Sequence, residues 1–290
     1  MSEQQDFVEI ARSPFSEAFE MFRKNHAAMV GLGVLVLIAV GGVAGPYLYV
    51  GDPFEMVWAP TTPPGEDGYF LGTDYLGRDM VSMLIHGARV SITIGLSAAL
   101  LTVFIGITVG SLAGFYKGWI EDVLMRITEF FQVLPTLLFS MVIVALFGAS
   151  LPMITLAIGL VSWPAVARIT RSEFLRIREL EYVTAARASG VSNLKLIFKV
   201  ILPNALPPII VQAALMVGSA ILFEAGLSFL GLTDPNIISW GQIIGSNRPY
   251  ILDASYTVTV PGVAIFVTVL AISLVGDGLN DALNPKLRQR

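Results

Sequence analysis

Glu224 is the one ionisable residue inside a long apolar run of this 290-residue chain, and Asp277 stands at the end of another. A charged side chain in hydrocarbon is costly, so it marks either a paired structural position or a working one. Aspartyl-protease chemistry needs two carboxylates that face each other and share a proton. Gly276-Asp277 offers one, with no second intramembrane aspartate to meet it. A self-contained proton-coupled carrier needs several buried titratable groups, and Glu224 alone qualifies. Hydrolysis of the serine type needs a buried Ser-His pair, for which neither His26 nor His86 is placed. Those histidines flank the first apolar run and its loop, which argues against an imidazole metal pair, and without cysteine there is no thiolate site or disulfide. No Gly-x-x-x-x-Gly-Lys-Ser/Thr loop occurs, so nothing here cradles ATP phosphates beside a lysine. The chain is therefore read as having no enzymatic machinery of its own.

The segment 168–206 is built for contact instead. It carries seven of the basic residues. Glu181 to Ser189 has a helical pattern stopped by Gly190 at a C-cap position. Ser192 can cap a second helix whose body is Lys195 to Ile201 and whose end lies near Pro203. The two form an elbow. Ala185, Ala186 and Ala188 leave a surface with little bulk, while Glu181 and Arg187 stay free for charged contacts, a combination suited to a groove on another protein. Asp74, Arg78 and Asp79 alternate charge on a turn before a helix, where they either contact a partner or tie the loop locally, to Arg89.

The elements that position these groups are membrane helices. Of the residues, 54% are apolar and 14% charged, with mean hydropathy +0.72, which excludes an ordinary soluble domain. A span needs about 20 apolar residues. Residues 27–50, 90–116 and 254–276 qualify; 130–167 is long enough for two spans reversed at Gly148 to Pro152; a sixth runs over 207–230. The chain is expected to be an all-α membrane protein with six transmembrane helices. Its plan is an N-terminal segment over 1–26, with an interfacial helix in Ser13–Lys24 whose apolar face is Phe15, Phe19 and Phe22. Then come the first span at 27–50, an outer loop at 51–89, a five-helix core at 90–276 and a tail at 277–290. Counting fifteen Lys and Arg with the termini against Arg78, Arg89 and Arg248 opposite places both termini in the cytoplasm. Gly31, Gly33, Gly95, Gly106 and Gly110 permit close helix packing, and Pro135 and Pro164 mark kinks.

The elbow also resembles the EAA loop of ABC importer permeases. The consensus Glu-Ala-Ala, three residues, Gly, nine residues, Ile-x-Leu-Pro falls on Thr184, Ala185, Ala186, Gly190, Val200, Leu202 and Pro203, with Thr184 in place of the glutamate. Three further segments resemble the dipeptide and oligopeptide branch of that superfamily, in its C-type subunit: Leu71 to Asp79 with Gly87-Ala88-Arg89, Glu224 to Leu232 with Ser239-Trp240-Gly241, and Gly276 to Lys286. The resemblance implies a type I importer permease in a bacterial inner membrane, paired with a B-type permease, two ATP-binding subunits that hold ATP and magnesium, and a periplasmic binding protein. Membrane lipid is its other neighbour, and no nucleic acid enters. It implies that ATP-driven closure moves the elbow, through Glu181, Thr184, Ala185, Ala186, Arg187, Gly190, Leu202 and Pro203. It also implies import of peptides, with nickel complexes, glutathione or oligosaccharides as alternatives. Glu224 would then border an outer gate or receive a peptide ammonium, or else be paired structurally.

Overall fold

The computed structural model describes residues 14–49 and 51–283. Residues 1–13, the tail 284–290 and with it the Asn284-Pro285-Lys286 end of the last motif lie outside the described residues. The described chain is helical nearly throughout, with two isolated β-bridges in the loop 51–79.

Helix α1 (Pro14–Lys24) is amphipathic. Phe22 and Ala18 are buried, packing with Ala28 and Ala282, whereas Phe19 stays exposed, so the apolar face is divided between the bundle and the outside. Asn25 starts α2 (His26–Leu48) by accepting a hydrogen bond from the Ala28 amide at 3.1 Å. Helix α3 (Met80–Tyr116) has 37 residues, about 55 Å of helix and well beyond the ~30 Å hydrocarbon thickness. The helix expected after the turn at Asp74 to Asp79 and the span expected from residue 90 are thus one element, capped by Asp79.

The run expected to hold two spans does reverse at Gly148, after α5 (Thr136–Phe147) and before α6 (Leu151–Ile177). Its first half is not one straight helix. Helix α4 (Gly118–Val133) meets α5 at 87°. Proline disfavours helical geometry in the residue before it, and Leu134 is extended, so Pro135 breaks the helix instead of bending it. Among the described residues five helices are long and apolar enough to span a membrane, and six crossings result only if the bent pair counts as one. Pro164, by contrast, lies within the uninterrupted α6.

Beyond α7 (Glu181–Ala188), the second elbow helix does not end at Pro203. It continues as α8 (Asn193–Phe229), a 37-residue rod with a π-helical segment at Leu196–Ile201. Pro203 has no N–H and its ring would crowd the carbonyl four residues earlier. The wider π register, with Leu202 N–H bonded to Ile197 O, makes room for it. After the short α9 (Trp240–Asn247), α10 (Tyr256–Leu283) runs through residues 277–283, which are helix and not tail.

Close packing of α3 on α6 holds the centre. A Cβ at Gly106 would stand 2.5 Å from Val166 Cβ, one at Gly114 would stand 2.6 Å from Phe174 Cβ, and one at Gly110 would overlap the Ala167 carbonyl oxygen. Gly95 meets Ile221 of α8 and Gly31 meets α10 in the same way, but Gly33 faces open space. Gly110→Val should therefore push the two backbones apart and destabilise the protein by about 1–3 kcal/mol or more. Thermal unfolding in detergent would show a lowered transition for Gly110→Val and an unchanged one for Gly33→Ala.

Candidate functional site

The elbow is anchored from within. Val183 is fully buried in a cluster with Phe115, Phe174, Ile177, Leu196 and Ile201, which fixes α7 against the C-terminal ends of α3 and α6 and the start of α8. Helical spacing then turns Glu181, Thr184, Ala185 and Ala188 outward, all exposed. Ala186, one turn from Val183, is half-buried and packs on the same cluster. The three alanines do not share one surface: Ala185 and Ala188 form the smooth outer face, and Ala186 belongs to the anchor. Thr184 Oγ1 donates to its own helix at Leu180 O, 3.3 Å, so its side chain is turned back on the backbone.

Gly190 has φ +80°, and the helix ends in a Schellman arrangement. Gly190 N–H donates to Arg187 O at 3.0 Å and Val191 N–H to Ala186 O at 3.2 Å. Ser192 is the N-cap of α8, but its side chain makes no capping bond; only its carbonyl serves the helix, accepting from Leu196 N–H at 2.9 Å. Leu202 is half-buried and Pro203 exposed at the start of the regular part of α8. Beside the elbow, Lys117 donates to Glu179 at 2.8 Å and holds that carboxyl below the usual carboxylate range.

Glu224 is buried in α8, with 1% exposure. Ser228 and Ser239 hydroxyls donate to Oε1 at 2.8 and 2.5 Å, while Oε2 has no hydrogen-bond partner among the described residues. Gly241 lies so close that a Cβ there would stand 3.1 Å from Oε2. Ser239 also caps α9, accepting from the Gln242 amide at 3.0 Å, and Trp240 N–H donates to Ser91 of α3 at 3.1 Å. The carboxyl therefore staples α9 to α8, joining the two parts of one sequence motif. Sequence reasoning singled out Glu224 without its partners, although Ser239-Trp240-Gly241 carried the signal as a cap before a short helix.

Asp74, Arg78 and Asp79 are likewise buried. Arg78 Nε donates to Asp74 Oδ2 at 2.7 Å, and Asp74 Oδ1 accepts from the Leu76 and Arg78 amides at 2.9 and 2.8 Å. Asp79 caps α3 through Val81 N–H at 3.0 Å and accepts from Tyr49 OH at 2.5 Å. These are local ties, made to one another and to Tyr49; Arg89 remains exposed. Tyr256 OH clasps the loop to α10, within 2.8 Å of both Thr62 O and Thr73 O.

One polar feature escaped the sequence. A polar cavity of about 620 Å³ opens between α4 and α6, lined by Glu121, Asp122, Arg126, Glu129, Arg168 and Arg171 among others. Arg171 donates through Nε to Glu121 at 2.7 Å. Fifty residues separate that pair, and no local pattern announces it.

Among the described residues, the architecture is that of a multi-pass membrane protein, a helical bundle with five candidate spans, or six if the bent pair is one, and an exposed elbow at one end. Residues 106–289 match the family described as binding-protein-dependent transport system inner membrane component, and residues 13–64 match the N-terminal TM domain of oligopeptide transport permease C. The chain is 42% identical over 283 residues to the Di/tripeptide transport system permease protein DppC of Pseudomonas aeruginosa, covering 95% of this chain and 93% of that one. It is 37% identical to the dipeptide permease DppC of Haemophilus influenzae (96% and 97% covered), and 36% identical to the glutathione permease GsiD of Pectobacterium atrosepticum (96% and 93%). Two solved structures of the MetNI methionine ABC transporter in inward-facing conformations share the fold, with TM-scores 0.58 and 0.59 at 19% and 20% identity, over 70–71% of this chain and 96–98% of theirs. The chain belongs to the binding-protein-dependent transport system inner membrane component family, as a multi-pass integral membrane permease of an ABC importer.

Two outcomes follow from the buried carboxyls. Glu224→Gln keeps an oxygen for both serines and should leave assembly and most transport intact. Glu224→Ala leaves two buried hydroxyls without their acceptor and should lower stability by about 2–5 kcal/mol, combining lost hydrogen bonds with a cavity; detergent melting curves and uptake assays on both variants check this. The hydrogen bond to Asp79 also pushes the Tyr49 phenol up to about 12. Because its folded value lies above its ordinary one of 10.0, its contribution is present below pH 10 and lost as pH rises towards 12. Alkaline melting of wild type should show an extra loss in that window that Tyr49→Phe lacks.

Proposed function

We propose that this chain is the C-type permease of an ATP-driven peptide importer, forming half of a translocation pathway with a homologous B-type permease. Two ATPase subunits bind ATP and magnesium and dock on the elbow; a periplasmic binding protein delivers the substrate; the permease itself catalyses no reaction and holds no cofactor. Both termini face the cytoplasm of a bacterium, and the elbow with its Lys and Arg faces the same side, in keeping with the bias of basic residues. The observation that carries the reading is 42% identity over 95% of the chain to a di/tripeptide permease. The exposed face of α7, smooth at Ala185 and Ala188 and edged by Glu181 and Arg187, supports docking in a groove. The glutathione permease at 36% identity favours a second substrate reading, glutathione being itself a tripeptide. Glu224 enters this function as a staple that positions α9, in keeping with its hydrogen bonds, and not as a receptor for a peptide ammonium.

The test is uptake of labelled di-, tri- and pentapeptides and of glutathione, in a strain lacking the gene and in its complemented parent. Loss of di- or tripeptide uptake on deletion, restored by wild type, is expected; unchanged uptake of every peptide, with loss of nickel or sugar uptake, would move the substrate. Gly190→Leu forces a side chain into left-handed backbone, costing about 1–2 kcal/mol at the turn, and Ala185→Glu adds bulk and charge to the outer face. Both variants should reach the membrane, fail to retain the ATPase subunits on purification and lose uptake at least tenfold. Wild-type uptake in both would refute the docking role of α7.

A further inference from the structure

The joint between α6 and α7 is three residues long, Arg178 to Leu180, and its first residue is tied elsewhere. Arg178 closes α6, its amide donating to Phe174 O at 3.0 Å. Its guanidinium reaches sideways to the last turn of α3, where Nη1 donates to Phe115 O and to Gly114 O, the latter at 3.4 Å. Those carbonyls belong to the end of a helix, where they lack intrahelical donors and carry the negative end of the helix dipole. The Arg178 side chain is only 15% exposed and its nearest carboxylate is the exposed Glu179, 3.3 Å from Nε. The burial of this cation is thus matched chiefly by the end of α3.

Two more contacts converge on the same point. Arg187, from the elbow helix itself, lies over the Phe115 ring at 5.8 Å, and Lys117, the residue that ends α3, bonds to Glu179 in the joint. Three cations therefore fasten the base of the elbow to one end of α3. The opposite end of α3 is capped by Asp79, which holds Tyr49, and it adjoins the loop closed by the Asp74–Arg78 pair. The elbow's other exit is α8, which begins through the π-helical Leu196–Ile201, a less regular turn than the α-helix around it.

We propose that Arg178 is the positioning residue through which movement of the elbow reaches the far side of the membrane, with α3 as the rod that carries it. This rests on the reading of α7 as the docking element for the ATPase subunits. A helix of 37 residues displaced at one end moves at the other, and here both ends are fastened, the inner one to the elbow and the outer one to the periplasmic loop.

The experiment uses the complete importer reconstituted in proteoliposomes and reads labelled dipeptide taken up per ATP hydrolysed, with co-purification of the ATPase subunits measured alongside. Arg178→Met removes every donor and keeps length. It is expected to retain the ATPase subunits and hydrolysis while the uptake-to-ATP ratio falls at least tenfold, and Arg178→Lys, which restores one cation, should fall in between. A wild-type ratio in Arg178→Met overturns the proposal, as does loss of the ATPase subunits, which would place Arg178 in the dock itself. If Arg178→Met does not accumulate in the membrane, Arg178→Lys decides: a lowered ratio with the subunits retained supports the proposal, an unchanged one overturns it. Gly190→Leu in the same preparation tests the reading beneath; subunits retained at full uptake there would remove the docking role of α7 whatever Arg178 does.

Discussion

Gly106, Gly110 and Gly114 bring α3 against α6 at backbone distance, and much of the molecule is arranged by that contact. In a bilayer two apolar helices gain little from hiding apolar surface, because lipid is as apolar as leucine; what holds them is close van der Waals packing, available only where side chains are absent. Because α3 is in place along α6, Arg178 meets the end of α3, Arg171 meets Glu121 on α4, and the cluster around Phe174 and Phe115 can receive Val183 from the elbow. The elbow's outward face is thus a consequence of a helix contact well inside the bundle.

Polar groups follow a second rule, that burial demands partners. Glu224 meets it at Oε1 alone, with two serine hydroxyls, Asp74 with Arg78 and two amides, and Asp79 with Tyr49 and a helix N-terminus. Breaking one side of a buried ion pair costs about 3–5 kcal/mol, so the Asp74–Arg78 tie, with the Tyr256 clasp, holds a loop rich in proline and glycine beside the N-terminal ends of α3 and α10. Of the two readings that the linear string left open for Asp74, Arg78 and Asp79, the fold has the local tie, made among themselves and to Tyr49 and not to Arg89.

Proline divides the remaining decisions. At Pro135 the helix stops, leaving α4 and α5 at 87°. At Pro203 the chain widens into a π turn and continues as one rod from the elbow to Phe229. Pro164 sits inside α6 without interrupting it. The residue type is the same in each case, and the outcome depends on whether the surrounding backbone can shift its hydrogen-bond register.

Much was legible in the residues alone. The apolar runs announce membrane helices because hydrocarbon admits no other uncharged stretch of that length; Gly190 announces the end of α7 because a left-handed turn favours glycine; and the spacing from Thr184 to Pro203 marks the elbow because it spans a motif too long to arise from helix periodicity. What required the tertiary structure was every pairing between distant segments. Ala186 turns inward while Ala185 and Ala188 face out because Val183 has a pocket to fill. Ser239 holds Glu224 across 15 residues, Glu121 holds Arg171 across 50 and Arg178 reaches Phe115 across 63. Local sequence sets which backbone shapes are cheap, whereas the partner of a buried charge is set by where packing places the chain's other strands of helix, and that is decided only when the whole bundle closes.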